Sequence, residues 1–183
     1  EYLNAGTTGP VPRPGYEAAL ASLRLQLDEG RSGKRFFEGC LERIDRLRGR
    51  VATLIGADVG EVALTGSTTD GVNVALGALE LEPGDEVLTS DEEHPGVLAP
   101  LGRLRERVGV NVRVAPFGEL AAAVGPSTRA VACSHVSWMT GAVVDAGALA
   151  APPALVLLDG AQGLGAVPVD VRALGCDFYA ASG

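Results

Sequence analysis

One acidic residue, Asp159, stands where an apolar segment of the sequence ends. It directly follows the apolar residues 155–158, and Gln162 comes three residues later. Ligands bind outside the carboxyl ends of the strands in open α/β sheets, so an acid at such an end is a candidate binding residue. Taken alone, Asp159 could equally cap the next helix, hold Mg²⁺ or face another ligand.

Two common nucleotide-binding patterns do not fit the sequence. The Gly-Lys-Arg segment 33–35 lacks the earlier glycine and the following hydroxyl residue of a P-loop, which excludes a P-loop NTPase and with it the Mg²⁺ role of Asp159. The segment 163–168 lacks the third glycine of a dinucleotide fingerprint and opens no clear helix. A Rossmann dehydrogenase is therefore disfavoured.

Residues 66–73, Gly-Ser-Thr-Thr-Asp-Gly-Val-Asn, form a better candidate for a phosphate site. A short apolar strand predicted from Glu61 leads into these small hydroxyl residues, and apolar residues at helical spacing then predict a helix over 71–79. Hydroxyl groups and free N–H groups at a helix N-terminus suit a phosphate. Ordinary N-capping by Ser67 or Thr68 explains the same pattern equally well.

His94 follows another predicted strand, 86–88, and precedes Pro95. Proline is favoured in the first turn of a helix, so we expect His94 at the N-cap of a helix over 95–108. Its ring would then project from the carboxyl edge of the sheet. A surface or capping role remains the alternative to a catalytic one.

The elements that must hold these residues alternate along the chain. Amphipathic helices are predicted over 17–27 and 36–54, the second with an apolar face. Further strands are predicted over 110–115, 130–134 and 155–158, and the proline-containing crossover 143–154 leaves room only for a shortened helix. Alternation of this kind predicts an α/β fold, a mostly parallel sheet with helices on both faces.

Composition narrows the class of protein. The 183 residues are 46% hydrophobic with a formal charge of −8, which allows one sizeable core and disfavours a nucleic-acid partner. Three cysteines without C-x-x-C spacing and only two histidines argue against a disulfide scaffold and a metal site. With no long apolar run and no signal peptide, we expect a cytoplasmic protein without a membrane partner.

Several short motifs together resemble the large domain of class V aminotransferase-like enzymes, the fold type I group dependent on pyridoxal 5'-phosphate (PLP) that includes cysteine desulfurases and selenocysteine lyases. The resemblance covers essentially the whole chain. Its motifs lie, in order, at residues 2–10, 66–73, 93–94, 134–137, 159–162 and 176–183. It implies an aspartate aminotransferase-like fold, with the N-terminal loop and helices of residues 1–55 packing on an incomplete PLP-binding large domain, residues 56–183. The small C-terminal domain would be absent.

The resemblance also implies a role for each candidate residue. Asp159 would pair with the pyridinium nitrogen of PLP, and Gln162 would donate to the phenolic oxygen of the cofactor. His94 would stack on the ring and handle protons. The phosphate would be held by Thr68, Thr69 and Ser182. A substrate-side loop would contain Asn4, Ala5 and Gly6.

Two features depart from the family pattern. The Schiff-base lysine of the family lies two positions after Ser-Gly, but the sequence ends at Gly183 and contains only Lys34, so we expect a truncated chain that is inactive alone. Trp138 replaces an asparagine typical of cysteine desulfurases, and an indole cannot accept a hydrogen bond. This substitution weakens the desulfurase assignment within the family.

The most specific expectation is a homodimeric, PLP-dependent enzyme that acts on a small amino-acid substrate with cysteine desulfurase or lyase chemistry. A class V aminotransferase or an epimerase is the alternative within the family. A remnant or binding protein that keeps the fold but does no chemistry is the alternative outside it.

Overall fold

The computed structural model describes residues 9–182 and contains a five-stranded sheet in which every paired neighbour is parallel. The strands are β1 (Glu86–Ser90), β2 (Asn111–Ala115), β3 (Thr128–Ser134), β4 (Leu155–Asp159) and β5 (Phe178–Ala180). Their spatial order is β2-β1-β3-β4-β5. The predicted α/β class with a parallel sheet is confirmed.

Helices α3 to α6 cover both faces of this sheet. The helices of the described residues are α1 (Arg13–Glu29), α2 (Gly33–Ile55), α3 (Thr68–Ala78), α4 (Pro95–Val108), α5 (Leu120–Ala123), α6 (Ala146–Leu149) and α7 (Val171–Leu174). Apolar residues of α3 and α4 pack on one face, and those of α5 and α6 pack on the other. Alternate strand residues supply the two cores, as the period-two geometry of a strand requires: Val87 and Leu157 face α3 and α4, whereas Leu88 and Leu158 face the other layer.

Most predicted elements match the observed ones within a few residues. The helix predicted over 95–108 has those bounds, and the shortened crossover helix is α6. The helix predicted over 71–79 instead begins at Thr68, because Ser67 caps it by accepting a hydrogen bond from the Asp70 amide. β5, for which no strand was predicted, is only three residues long.

The strand predicted from Glu61 is wrong. Val59–Glu61 form a short 3₁₀ helix, and the segment 62–65 has no regular secondary structure. The Arg48 guanidinium on α2 accounts for the difference, because its Nε and Nη2 donate to the carbonyl oxygens of Val62 and Val59, each at 2.8 Å. A side chain therefore binds one carbonyl group of the predicted strand, that of Val62, which a neighbouring strand would otherwise bind.

The two N-terminal helices contribute little to the described core. No residue of α1 is buried, and Ala52 is the one buried residue of α2. The predicted apolar face of α2 is a continuous exposed stripe, consisting of Phe37, Leu41, Ile44 and Leu47. No helix between residues 9 and 182 is long and apolar enough to cross a membrane.

Candidate active site

The strand order creates a crevice at the carboxyl edge of the sheet. The chain leaves β1 towards β2 on one side and returns to β3 on the other, so the connections diverge between β1 and β3. Such a reversal is where open α/β sheets bind ligands. Asp159 ends β4, where it pairs in register with Ser134 of β3, so both side chains lie next to this point.

Asp159 is buried, with 6% of its surface exposed. Its Oδ1 accepts a hydrogen bond from the Ala161 amide at 2.9 Å, and Oδ2 has no hydrogen-bond donor among the residues that the structure describes. Burial raises the pKa of this carboxyl group, and the Ala161 bond and nearby His94 partly offset the rise. No Arg or Lys within residues 9–182 forms an ion pair with Asp159. The site therefore presents a buried acid that lacks a cationic partner.

His94 caps α4, as predicted. Its Nδ1 accepts a hydrogen bond from the Gly96 amide at 3.0 Å. This bond places the proton of the neutral imidazole on Nε2. The ring also packs edge-to-face against Trp138, with centroids 5.4 Å apart and planes at 87°. Two contacts therefore fix the orientation of an otherwise exposed ring.

The N-terminus of α3 contains a hydroxyl group without a partner. Ser67 provides the ordinary N-cap, whereas the Oγ1 atom of Thr68 is buried and has no hydrogen-bond partner in the described part of the chain. Thr69 lies close to α4, since a Cβ atom added at Gly96 would be 2.7 Å from its Oγ1. Unpaired buried hydroxyl groups are rare in native structures. This one, beside free helix N–H groups, suits an anionic ligand.

The turn after Asp159 rests on a pair of aromatic side chains that the sequence analysis missed. The hydroxyl of Tyr179 lies 3.0 Å from Nδ1 of His135, which is buried. A Cβ atom at Gly160 would lie 2.2 Å from the Tyr179 ring, and one at Gly163 would lie 2.7 Å from His135. Burial lowers the pKa of His135. These residues support the turn that carries Asp159.

The remaining predicted residues lie on segments of the same edge or outside the described chain. Gln162 is half-buried on the turn after β4, and Ser182 is exposed two residues beyond β5. The first turns of α3 adjoin the end of β5, since a Cβ atom at Gly71 would lie 3.0 Å from that of Ala180. The predicted substrate-side loop, Asn4, Ala5 and Gly6, lies outside the described residues.

Lys34 belongs to a different part of the molecule. It lies in the first turn of α2, where its side chain is 87% exposed and pairs with Glu38 at 3.6 Å. Such a lysine has neither the burial nor the neighbours that activate an amine for covalent catalysis. Among the described residues, no group of three or more His, Cys, Asp or Glu side chains could hold a metal ion.

A parallel α/β sheet with a buried acid and a helix N-terminus at its switch point defines a class of ligand-binding α/β domains. Residues 2–183 match the family model described as Aminotransferase class-V. The chain belongs to the class V aminotransferase family, and the predicted membership is confirmed.

Curated relatives and solved structures agree with this membership. A probable cysteine desulfurase of Methanothermobacter thermautotrophicus is 34% identical over 195 residues, which cover 100% of this chain and 48% of the relative. An isopenicillin N epimerase of Streptomyces clavuligerus is 32% identical over 200 residues, which cover 99% of this chain and 49% of that protein. The chain thus spans about half the length of the curated relatives it matches.

Solved structures are similar to this chain over its full length. The cystine C-S lyase C-DES, solved in complex with its reaction product cysteine persulfide, superposes with a TM-score of 0.93 at 31% identity, over 100% of this chain and 52% of that one. A C-DES mutant solved with glycine covalently linked to the PLP cofactor gives the same TM-score and coverage. The predicted fold type I architecture is confirmed.

Proposed function

We propose that the protein carrying this chain is a PLP-dependent enzyme that acts on an amino acid by cysteine desulfurase or C–S lyase chemistry. The observation that carries the proposal is the arrangement at the sheet edge: Asp159 is buried without a cationic partner, beside the fixed ring of His94. A protonated pyridine ring would supply the cation that this carboxylate lacks. The relatives named as cysteine desulfurase and cystine lyase support the reaction class.

The residues at the crevice fit PLP in the roles expected from sequence. The free Oδ2 of Asp159 is available to accept from the ring nitrogen, because Oδ1 is already bonded to Ala161. Gln162 would donate to the phenolic oxygen. The phosphate would take the unpaired hydroxyl of Thr68, together with Thr69, Ser182 and free N–H groups of α3.

When bound, PLP supplies an electron sink for bond cleavage at the substrate α-carbon. The chain itself would supply orientation and a hydrogen-bond donor. The neutral His94 ring carries its proton on Nε2, because Nδ1 accepts a hydrogen bond from the Gly96 amide. Trp138 limits rotation of that ring, so the Nε2–H group would keep a fixed direction as a hydrogen-bond donor.

Thr68→Val tests the phosphate role independently of turnover. Valine has the shape of threonine but no hydroxyl, so PLP affinity should fall about five- to thirty-fold, the equivalent of roughly 1–2 kcal/mol. The free energy of unfolding without PLP should stay unchanged or rise, because the buried hydroxyl has no partner to lose. Absorbance titration with PLP and urea unfolding measure the two quantities.

Thr53→Val is the matched control for this experiment. Thr53 also lies on a helix, but its exposed hydroxyl donates to the Gly49 carbonyl at 3.0 Å, and PLP affinity should not change. Equal PLP affinity of Thr68→Val and the unmodified protein would contradict the phosphate role.

The reaction is tested by incubating purified, PLP-loaded protein with L-cysteine and with cystine. Alanine from cysteine, with the sulfur atom released as sulfide when a thiol reductant such as dithiothreitol is added, would identify a desulfurase. Cysteine persulfide, pyruvate and ammonia from cystine would identify a lyase. Inversion at the α-carbon without cleavage would support the epimerase alternative, which the isopenicillin N epimerase relative favours. Amino transfer to a keto acid would identify an aminotransferase, and PLP binding without turnover would identify a non-catalytic binding protein.

We also propose a cytoplasmic homodimer in which residues 1–55 pack on the large domain. The exposed apolar stripe of α2 supports a covered surface in the assembled protein, since exposed stripes of this kind usually mark interfaces. Isologous pairing of two copies is the commonest form of assembly. Analytical ultracentrifugation should show a dimer at assay concentration, whereas a fully active monomer would contradict the proposal.

A further inference from the structure

Glu93 is a buried acid to which the proposed function gives no role. It has 4% of its surface exposed, immediately before His94 in the sequence. The Ser134 amide donates to both carboxylate oxygens, at 2.9 and 3.0 Å, and the Ser134 hydroxyl donates to Oε2 at 2.7 Å. The hydroxyl of Ser90 donates to Oε1. All of these donors belong to the last residue of β1 or of β3.

These bonds join the two strand ends that border the crevice. Ser90 is the last residue of β1, and Ser134 is the last residue of β3. Ser134 in turn faces Asp159 in the strand register. Glu93 therefore connects the segment that carries His94 to the strand next to Asp159.

The energetic cost of this arrangement is high for a purely structural contact. Burial raises the pKa of Glu93, and the hydrogen bonds from Ser90 and Ser134 only partly counter this effect. The Asp159 carboxylate raises the pKa further, so two acids share one low-dielectric region. Neither forms an ion pair with Arg or Lys anywhere in residues 9–182.

We infer that Glu93 is a positioning residue that sets the spacing of His94 and Asp159 across the bound ring by hydrogen-bonding the end of β1 to Ser134. The inference rests on the proposed PLP site. Glutamate is suited to this position because a carboxylate accepts all of these donors at once, whereas a shorter or apolar side chain leaves the Ser134 amide unpaired.

PLP binding to purified Glu93→Ala and Glu93→Gln protein tests the inference, with PLP itself as the probe. Glu93→Ala should lower PLP affinity at least about ten-fold, since small displacements of positioning groups are costly. It should also weaken the visible circular dichroism of PLP at saturation, which reports a fixed ring orientation. Glu93→Gln should keep the PLP affinity and the circular dichroism within about three-fold of the values of the unmodified protein. Its carbonyl group accepts from the Ser134 amide, and the serine hydroxyls can accept from its NH₂ group.

Asp91→Ala is the matched control. Asp91 lies two residues away and makes a similar bond from the end of β1, accepting from the Phe117 amide at 2.9 Å, but on the side of β2. It should lower stability without changing the affinity or circular dichroism of bound PLP. Ser134→Ala, which removes only the 2.7 Å hydroxyl bond, is the milder variant if Glu93→Ala does not fold, and it should give the same changes to a smaller extent.

Three outcomes would overturn the positioning role. The first is unchanged PLP affinity and circular dichroism in a folded Glu93→Ala, or in Ser134→Ala if Glu93→Ala does not fold. The second is an equal loss in Glu93→Gln, which would make the charge the essential property. The third is an equal loss in Asp91→Ala, which would make the effect a general loss of stability. Absence of saturable PLP binding to the unmodified protein would instead contradict the proposed function itself.

Discussion

Asp159→Ala should lower turnover of the PLP-loaded enzyme at least about 100-fold while leaving the fold intact, a loss of the size expected for one preorganised electrostatic group. Oδ2 of this carboxylate would accept from the ring nitrogen, since Oδ1 is bonded to the Ala161 amide, and without it the protonated ring loses its partner. Steady-state kinetics at saturating PLP measure the loss, and far-UV circular dichroism checks the fold.

Two further variants distinguish the effect of the negative charge of Asp159 from the effect of its hydrogen bond to the Ala161 amide. Asp159→Asn keeps an oxygen for the Ala161 amide, so it should be folded and nearly as inactive as the alanine variant. Asp177→Ala removes an acid from the opposite edge of the sheet, where Oδ2 accepts from the Val156 amide at 2.8 Å. It should lower stability by about 1 kcal/mol and retain activity. Near-normal turnover by Asp159→Ala would contradict the assignment of Asp159.

Gly160→Ala should produce the largest structural effect of a single methyl group at the site. The added Cβ would lie 2.2 Å from the Tyr179 ring, and this rigid ring is itself held by His135. Relief requires movement of the turn that carries Asp159 and Gln162. We expect a loss of about 1–3 kcal/mol in the free energy of unfolding, as for other overpacked sites, together with weaker PLP binding.

Gly102→Ala provides the control for the glycine substitution. Gly102 lies within α4, and a Cβ atom there would meet no heavy atom within 4 Å. Alanine should leave stability unchanged or raise it by up to about 1 kcal/mol, since glycine is a poor helix residue. An unaltered melting temperature and PLP affinity of Gly160→Ala would show that the turn does not depend on Tyr179.

The site residues that could be predicted from the sequence are those marked by neighbouring residues in the chain. Asp159 and His94 could be found because a strand end and a following proline are signals of neighbouring residues. The same logic failed after Glu61, where Arg48, a residue of α2, binds the Val62 carbonyl group expected in a strand. The local apolar pattern of a segment does not show that a side chain from another helix donates to its carbonyl group.

The supporting residues could not be found in this way because their partners are distant in sequence. Glu93 bonds to Ser134 across 41 positions, and His135 contacts Tyr179 across 44. Nor does composition show that the hydroxyl of Thr68 lacks a partner whereas that of Ser67 caps the helix. These features depend on how the strand ends and the α3 N-terminus meet at one edge of the sheet.

The crystal structure of the protein with PLP is the most direct test of the central claim. The ring nitrogen should lie within hydrogen-bond distance of Oδ2 of Asp159, with the His94 ring stacked on the pyridine face. The phosphate should contact the hydroxyl of Thr68 and the first N–H groups of α3. A PLP molecule bound elsewhere, or one whose ring nitrogen faces away from Asp159, would contradict the account.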